Sequence, residues 1–363
     1  MPRVLILTAS VGEGHDAPAR RLAEGLRAEA PDVDVVIEDG LDAMGTLITA
    51  FSESAPKVVF FHGTLRWLWD LAFFLFVRLA PSRAGGQLLL ERLGGPGLLR
   101  LIERVQPDVI VSVYPQSTEV LGRLRRRGTL HIPALAAVTD LAAMRYWASR
   151  GIDVHLITHP ESIPEVRHVA GSETRIEPVR GFTDPRFYEA RDRTAAREAL
   201  GLPREGKIVL VSGGGWGVGD VVGACDAALE LTEVTRVVCL CGRNEELLAA
   251  LPKDPRVLGV GFTDDMPEWM AAADALVHST AGLTALEAMM RGLPVISYGW
   301  GRGHIRLNNH AFERFDLAHV VTSRRDLVVA LRAALASTRK PDLSFASLPS
   351  AASLVLEYAR NGA

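Results

Sequence analysis

Short apolar runs alternate with amphipathic stretches along most of the chain, a pattern typical of strands and helices in a parallel α/β sheet. The first apolar run, residues 4–8, precedes a glycine-containing loop and a predicted helix over 17–30, where Leu22 and Leu26 share one face. Further strands are predicted, in chain order, at 33–37, 108–113, 133–139, 154–158 and 175–179. This first half therefore predicts one α/β domain.

The same alternation resumes after a turn-forming stretch, 180–190, which we interpret as the interdomain linker. Strands are then predicted at 207–212, 237–241, 257–261, 275–277, 295–298 and 318–321, and helices at 195–200, 283–290, 308–315, 324–336 and 350–360. We therefore predict two Rossmann-like domains, 1–182 and 183–345, facing a central cleft. A C-terminal helix within 346–363 is expected to pack back on the first domain.

Composition narrows the class of protein. A chain of 363 residues, 48% hydrophobic and 23% charged, fits a globular protein of two domains. The net charge of −3 gives no reason to expect nucleic-acid binding. Cys225, Cys239 and Cys241 make no disulfide framework, and no second Cys or His pair stands at metal-ligand spacing. The chain starts directly as a strand without a signal-peptide pattern, so we expect a cytoplasmic location.

The segment 51–83 departs from the α/β rhythm and is the part of the chain densest in aromatic residues. Charged residues interrupt it, and a membrane span would need about 20 apolar residues. Two interpretations stay open: a buried helical hairpin, or a surface that dips into an anionic bilayer. The candidate membrane-contacting residues are Trp67, Trp69, Phe73 and Phe74. The arginine run at 123–127 is open to the same two kinds of interpretation, anionic lipid or a solvated helix end.

Three glycine-containing loops follow predicted strands, which is where open parallel sheets bind ligands. They are S-V-G-E-G-H at 10–15, G-G-G-W-G-V-G at 213–219 and S-T-A-G-L-T at 279–284. Strand, glycine turn and helix together point backbone N–H groups and the positive end of a helix dipole at an anion. The two loops of the second half therefore favour a phosphate ligand, with a plain structural turn as the alternative.

Two side chains beside these loops carry candidate chemistry. His15 stands at a helix start, where the positive end of the dipole favours a neutral imidazole that can accept a proton. Glu287 lies one turn inside its helix, too deep for an N-cap but able to reach sugar hydroxyls next to a bound phosphate. A capping or packing histidine and an ordinary helix position are the alternatives.

Five motifs occur together and in order: the three loops above, C-G-R-N at 241–244, and G-F-T-D-D-M-P-E-W-M at 261–270. On these motifs the chain resembles glycosyltransferase family 28, two-domain enzymes of the GT-B fold, and within it monogalactosyldiacylglycerol synthases and processive diacylglycerol glucosyltransferases. The resemblance covers roughly 3–335. It implies inverting transfer of a hexose from a UDP-sugar to a lipid acceptor such as diacylglycerol at the membrane surface, with no metal or other cofactor.

The resemblance also implies roles for individual residues. His15, in the loop with Gly12 and Gly14, is the expected general base, and Glu287 is expected to hold the ribose hydroxyls. Phe262 and Met266 resemble the uracil pocket. The other expected donor contacts are Gly213, Gly214, Gly215, Trp216, Gly217, Arg243, Ser279, Thr280, Ala281, Gly282 and Thr284.

The chain departs from the family in two places. Relatives carry Gln or Glu after the strand that corresponds to 295–298, whereas this chain reads G-W-G-R-G-H, so His304, Ile305 or Asn308 must substitute. A phosphate-contacting arginine is either Arg180 or missing.

Three classes of function follow. The first is a glycosyltransferase whose partners are a UDP-sugar, a lipid acceptor and an anionic membrane surface, without nucleic acid, on the inner face of the cell membrane. A soluble glycoside or polyketide acceptor replaces the lipid if the aromatic segment does not meet a bilayer. The second is a UDP-sugar 2-epimerase, which would need acidic groups that the N-terminal loops lack beyond Glu13. The third is a non-catalytic UDP-sugar binder, against which His15 argues.

Overall fold

The computed structural model describes residues 1–9, 13–50, 52, 71, 74–75, 79–142, 144–279, 282–299, 301, 303–338 and 340–361, with the backbone alone at 13, 304 and 361. Contacts divide the chain into two compact units. The first unit contains Met1–Thr183 and Leu348–Ala363, and the second contains Asp184–Ser347.

Six parallel strands form the sheet of the first unit: β1 (Arg3–Thr8), β2 (Asp34–Asp39), β3 (Val109–Ser112), β4 (Ala134–Val138), β5 (Val154–Ile157) and β6 (Arg175–Pro178). Their order is β2-β1-β3-β4-β5-β6. The described helices between them are α1 (Glu13–Glu29), α2 (Gly40–Met44), α3 (Ala80–Val105), α4 (Pro115–Arg126) and α5 (Ile163–Ala170). All positions of β3, β4 and β5 are buried, as expected for parallel strands covered on both faces.

Helix α3 is an element that the sequence pattern does not predict. Its middle reads G-G-P-G, which usually marks a turn. Tertiary contact with α2 explains these glycines, because an added Cβ at Gly94 would meet Met44 Cγ at 2.8 Å and one at Gly97 would collide with the carbonyl of Ala43. Close approach of the two helices therefore outweighs the low helix propensity of glycine.

The second unit repeats the architecture with β7 (Lys207–Ser212), β8 (Val234–Gly242), β9 (Val257–Gly261), β10 (Ala275–His278), β11 (Val295–Tyr298) and β12 (His319–Val321). These six parallel strands are ordered β12-β11-β10-β7-β8-β9. Its helices in the described part are α6 (Arg193–Ala199), α7 (Val221–Leu229), α8 (Glu245–Ala250), α9 (Met266–Ala272), α10 (Leu283–Met290), α11 (His304–Arg314) and α12 (Arg324–Ala336). The predicted fold class, two parallel α/β sheets, is confirmed.

The last helix, α13 (Ala351–Asn361), belongs to the first unit. It lies so close to α1 that an added Cβ at Gly25 would touch the Cβ of Ala352 at 3.5 Å. A parallel bridge between Arg180 and Ser350 fixes the chain just before it. The serine hydroxyls of Ser350 and Ser353 both donate to the carboxylate of Glu29.

A buried carboxylate joins the amino ends of β7 and β10. Asp274 is 4% exposed and accepts from Arg193 Nη1 at 2.6 Å and from Arg197 Nη2 at 2.6 Å. The backbone N–H of Ile208 donates to the same carboxylate at 2.8 Å. Such a buried charge is stable only because it is both paired and hydrogen-bonded.

Buried sulfur and imidazole side chains complete the core of the second unit. The Sγ atoms of Cys239 and Cys241 lie 3.7 Å apart on one face of β8, as the alternating sequence predicts. His278, at the end of β10, donates from Nδ1 to the carbonyl of Ser212 over 3.1 Å, since a carbonyl can only accept. Burial lowers the pKa of His278 to about 4.

We expect His278 to make the fold sensitive to acid. Its folded pKa lies below the unfolded value of about 6.5, so the unfolded chain binds more protons and stability falls as pH drops from about 6.5 towards 4. His278→Asn keeps a side-chain N–H for Ser212 but cannot titrate. Urea unfolding at pH 7 and pH 5 should therefore show a pH-dependent loss about 2 kcal/mol smaller in the variant. Identical losses in both proteins would show that His278 is not buried neutral.

Candidate functional site

The strand order of the first unit reverses between β1 and β3, so the crevice at their carboxyl ends is the expected ligand position. Helix α1 starts after β1 and brings His15 to this point. His15 Nδ1 lies 2.8 Å from the carbonyl oxygen of Val113, directly after β3. The imidazole also meets the ring of Tyr114 edge-on, with centroids 4.8 Å apart and planes at 89°. The predicted base is thus held by backbone and ring together.

The partner of His15 decides which nitrogen carries the proton. A carbonyl oxygen accepts but never donates, so His15 Nδ1 must be the N–H donor. In the neutral imidazole the lone pair then lies on Nε2. This is the tautomer that a histidine needs to remove a proton from a hydroxyl.

Helix α1 also carries Gly14 and Asp16 on either side of His15. Gly14 is exposed, and no atom of the described residues lies within 4 Å of a Cβ added there. Asp16 is fixed on the same helix by the hydroxyl of Thr8, which donates to its Oδ1 over 2.8 Å. Gly12 lies outside the described residues.

In the second unit the strand order reverses between β7 and β10. The glycine loop after β7 folds tightly on itself, because Val218 N donates to Gly213 O over 2.8 Å and Gly217 N to Gly214 O over 3.1 Å. Gly214 and Gly217 have φ of 70° and 63°, in the left-handed region that favours glycine. An added Cβ at Gly213 would meet the backbone of Val218 at 2.6 Å. The geometry of this turn therefore requires glycine at positions 213, 214 and 217.

The C-G-R-N motif at the end of β8 packs against that loop. Arg243 N donates to Gly215 O over 2.9 Å, and Asn244 Nδ2 donates to Trp216 O over 3.2 Å. The Arg243 guanidinium lies over the ring of Phe262, 3.9 Å from its centroid, while Phe262 stays 41% exposed. Residues predicted from three separate motifs therefore lie together at the carboxyl ends of β7, β8 and β9.

The turn after β10 reaches the other side of the same loop. Ser279 donates through its hydroxyl to Val218 O and through its backbone N–H to Ser212 O. Helix α10 then starts after Gly282, whose φ is 101°. Thr284 and Glu287 follow on α10 and are both half-buried. Met266 is half-buried at the start of α9.

The two helices at this switch point differ in how they begin. Asp220 caps α7, where its Oδ1 accepts from Gly223 N over 3.0 Å and its Oδ2 from the Tyr298 hydroxyl over 2.8 Å. No side chain among the described residues caps α10. An anion would be repelled by Asp220 but attracted by the N-terminus of α10. Sequence reasoning missed both Asp220 and Tyr298, although an aspartate just before a helix is a recognised capping signal.

The structure also describes other predicted contacts. Ile305 and Asn308 are both buried on α11. Arg180 Nε donates to Leu348 O over 3.2 Å inside the first unit. In the arginine run, Arg123 and Arg125 form ion pairs at 2.5 Å with Glu91 and Asp153 respectively, which favours a structural role for these two.

The remaining predicted residues lie outside the described part of the structure. They are Trp67, Trp69, Phe73, Thr280, Ala281 and the side chain of His304. Phe74 is described and is 48% exposed. Among the described residues no group of three or more His, Cys, Asp or Glu side chains is placed to hold a metal ion.

Two family models match parts of the chain. Residues 72–179 match monogalactosyldiacylglycerol (MGDG) synthase, and residues 217–335 match glycosyl transferases group 1. The chain is 24% identical over 336 residues to the processive diacylglycerol beta-glucosyltransferase of Bacillus pumilus, covering 90% of this chain and 85% of that protein. It is 29% identical over 323 residues to monogalactosyldiacylglycerol synthase 1, chloroplastic, of Arabidopsis thaliana, and the match covers 83% of this chain and 58% of that protein.

Solved glycosyltransferases share the fold. UGT89C1 of Arabidopsis thaliana, solved in complex with UDP, superposes with a TM-score of 0.59 at 13% identity and covers 100% of both chains. The resemblance predicted from the motifs is therefore confirmed. The chain is a glycosyltransferase of the hexosyltransferase class with the GT-B fold.

The tight loop after β7 should not tolerate a side chain. We expect Gly213→Ala to cost about 1–3 kcal/mol, because the added methyl would overlap the backbone of Val218. Gly85→Ala is the matched control and should stabilise the fold slightly, since Gly85 lies in α3 and no atom of the described residues comes within 4 Å of an added Cβ. Urea unfolding measures both. A Gly213→Ala protein as stable as Gly85→Ala would contradict this geometry.

Proposed function

We propose that the protein transfers a hexose from a UDP-sugar to the hydroxyl of a diacylglycerol-type lipid at a membrane surface, with inversion at the anomeric carbon. The observation that carries the proposal is the hydrogen bond from His15 Nδ1 to Val113 O. It leaves the basic lone pair of a neutral imidazole on Nε2, at the switch point where a ligand of the first unit is expected.

The donor is assigned to the second unit. Its diphosphate is placed at the N-terminus of α10, beside the glycine loop after β7, where backbone N–H groups and the helix dipole favour an anion. Phe262, with Arg243 over its ring, offers an exposed aromatic face for the uracil, and Glu287 offers a carboxylate for the ribose hydroxyls. The related fold solved in complex with UDP supports this choice of nucleotide.

The proposed step is a single displacement. His15 Nε2 takes the proton from the acceptor hydroxyl while its oxygen forms a bond to the anomeric carbon. The bond from that carbon to the UDP oxygen breaks, and UDP leaves with the bonding electron pair. Attack opposite the leaving group inverts the anomeric centre. The negative charge that develops on UDP is stabilised by preorganised N–H groups and the α10 dipole, so the step needs no metal ion.

The choice of a lipid acceptor is supported by the names of the two similar proteins. Both are named for diacylglycerol or its galactolipid, and one of them aligns along 90% of this chain. The MGDG synthase match covers 72–179, within the unit that contains His15. Acceptor recognition is therefore assigned to the first unit.

Helix α3 provides a surface that fits an anionic bilayer. Its exposed residues between 80 and 100 include Leu89, Arg92, Leu93 and Arg100 but no carboxylate, because Glu91 points inward and is buried. Leu89 and Leu93 are 56% and 50% exposed and lie one turn apart. Exposed leucines flanked by arginines are typical of helices that lie at a membrane surface. In the described part of the chain, no helix is long and apolar enough to span a bilayer.

His15→Asn tests the catalytic assignment. Asparagine keeps an N–H that can reach Val113 O but offers no basic nitrogen, so transfer should fall by about 10²–10⁴-fold while UDP affinity is unchanged. Hexose transfer is measured with a labelled donor, and UDP affinity by calorimetry. His131→Ala, an exposed histidine of the same unit, is the control and should keep full activity. Transfer by His15→Asn at the rate of the control would rule out the proposed base.

Helix α3 is tested with the double substitution Leu89→Asp and Leu93→Asp. Two carboxylates on this face should lower binding to vesicles rich in phosphatidylglycerol by at least about tenfold, because they replace apolar area and meet a negative surface. Flotation with these vesicles measures the fraction of protein that is bound to them. Leu248→Asp, at a 40% exposed leucine of α8, is the control. Equal flotation of the double variant and the control would show that α3 does not contact the membrane surface.

A further inference from the structure

A basic cavity lies at the amino ends of β7 and β10, the opposite edge of the sheet from the proposed donor loops. Its volume is about 320 Å³, at the lower end of the roughly 300–1,000 Å³ of small-molecule sites. Four cationic side chains line it, Arg191, Arg193, Lys207 and Arg291, against one carboxylate, Asp274. The cavity is therefore a concave, strongly positive surface inside a chain whose net charge is −3.

The carboxylates at hand do not balance this charge. Asp274 is shared by Arg193 and the buried Arg197, each at 2.6 Å. Arg191 pairs with Glu268 at 2.9 Å. Lys207 is half-buried, and no ion pair of its ammonium is found among the described residues. Among these residues, the four cations Arg191, Arg193, Arg197 and Lys207 thus lie near two carboxylates, Asp274 and Glu268.

Arg291 adds a fifth cation, and two backbone carbonyls accept hydrogen bonds from it. Its Nη1 donates to Glu189 O over 2.5 Å and its Nη2 to Arg186 O over 2.7 Å. Arg291 is 4% exposed, and burial lowers its pKa. These two carbonyl partners orient the guanidinium, and Arg291 lies in the cavity wall with Lys207.

We propose that this cavity binds a phosphate-bearing anion, separately from the donor loops. Guanidinium groups match phosphate oxygens in pairs, and an ammonium adds a point charge, so a wall of three arginines and one lysine suits one or two phosphate groups. The anion adds negative charge to a cavity wall in which four cationic side chains face one carboxylate. The same chemistry is offered by a free phosphorylated compound and by a lipid headgroup.

The position of the cavity suggests what occupation does. Its walls include Ala190, Arg191 and Arg193 near the start of the second unit and Ser337 and Pro341 near its end. These are the segments through which the chain enters and leaves that unit. A bound anion would hold them to each other and to the amino end of β7, so it should protect both segments from local opening.

Lys207→Glu is the sharpest test, because this substitution reverses a charge in the cavity wall without breaking an ion pair of the described fold. Lys253→Glu, an exposed lysine outside the cavity, is the matched control. Binding of inorganic pyrophosphate is measured by calorimetry on the full chain. Pyrophosphate should bind the control like the wild type and Lys207→Glu at least about tenfold more weakly, as expected when a charge-assisted contact becomes repulsive. The wild type, Lys207→Glu and Lys253→Glu share the same donor loops, so a difference in pyrophosphate affinity between them reports binding in the cavity.

A second experiment distinguishes a free phosphorylated compound from a lipid headgroup. It measures flotation of the same proteins with vesicles that contain phosphatidic acid. A Lys207-dependent loss for pyrophosphate supports a soluble ligand, and a loss for the vesicles alone supports a headgroup. Hydrogen exchange of the backbone amides of Ala190, Arg191, Arg193 and Ser337 in the wild type should slow when the effective probe is added. Equal binding of both probes to Lys207→Glu and Lys253→Glu would overturn the proposal, whatever the outcome for hexose transfer.

Discussion

The hydrogen-bonding geometry of a parallel sheet is the constraint on which the rest of this molecule depends. Parallel strands place all their carboxyl ends at one edge, and the strand order of each unit reverses once. The loops that carry the candidate chemistry follow the strands at those reversals: His15 after β1 and Val113 after β3, the glycine loop after β7 and Ser279 after β10. Chemistry is concentrated there because two adjacent loops diverge and leave a crevice between them.

Much of this was predictable from local pattern. Strands with uninterrupted apolar runs, such as 4–8 and 207–212, are buried on both faces and leave few alternatives to a parallel sheet. The glycines at 213–217 were informative because their turn demands left-handed backbone and excludes a Cβ. The five motifs in order identified the fold and the class of enzyme, which neither glycine loops nor composition could do alone.

The remainder depended on contacts between residues distant in the sequence. His15 and Val113 are 98 positions apart, so the tautomer of the imidazole could not be read from the loop at 10–15. Helix α3 was missed because its glycines are explained by α2, not by its own propensity. The basic cavity combines segments near both ends of the second unit around Asp274, a residue whose sequence context reads simply as the start of a strand.

We propose that a proton acceptor in the first unit and an anion site in the second take part in the same transfer reaction. The most direct measurement supplies UDP-glucose, UDP-galactose and UDP-N-acetylglucosamine separately, with diacylglycerol in anionic vesicles, and reads the products by mass spectrometry. We expect at least one donor to yield diacylglycerol heavier by one hexose, with one UDP released for each sugar transferred. Conversion of a donor to a new UDP-sugar, or no glycolipid from any of the three, would contradict it.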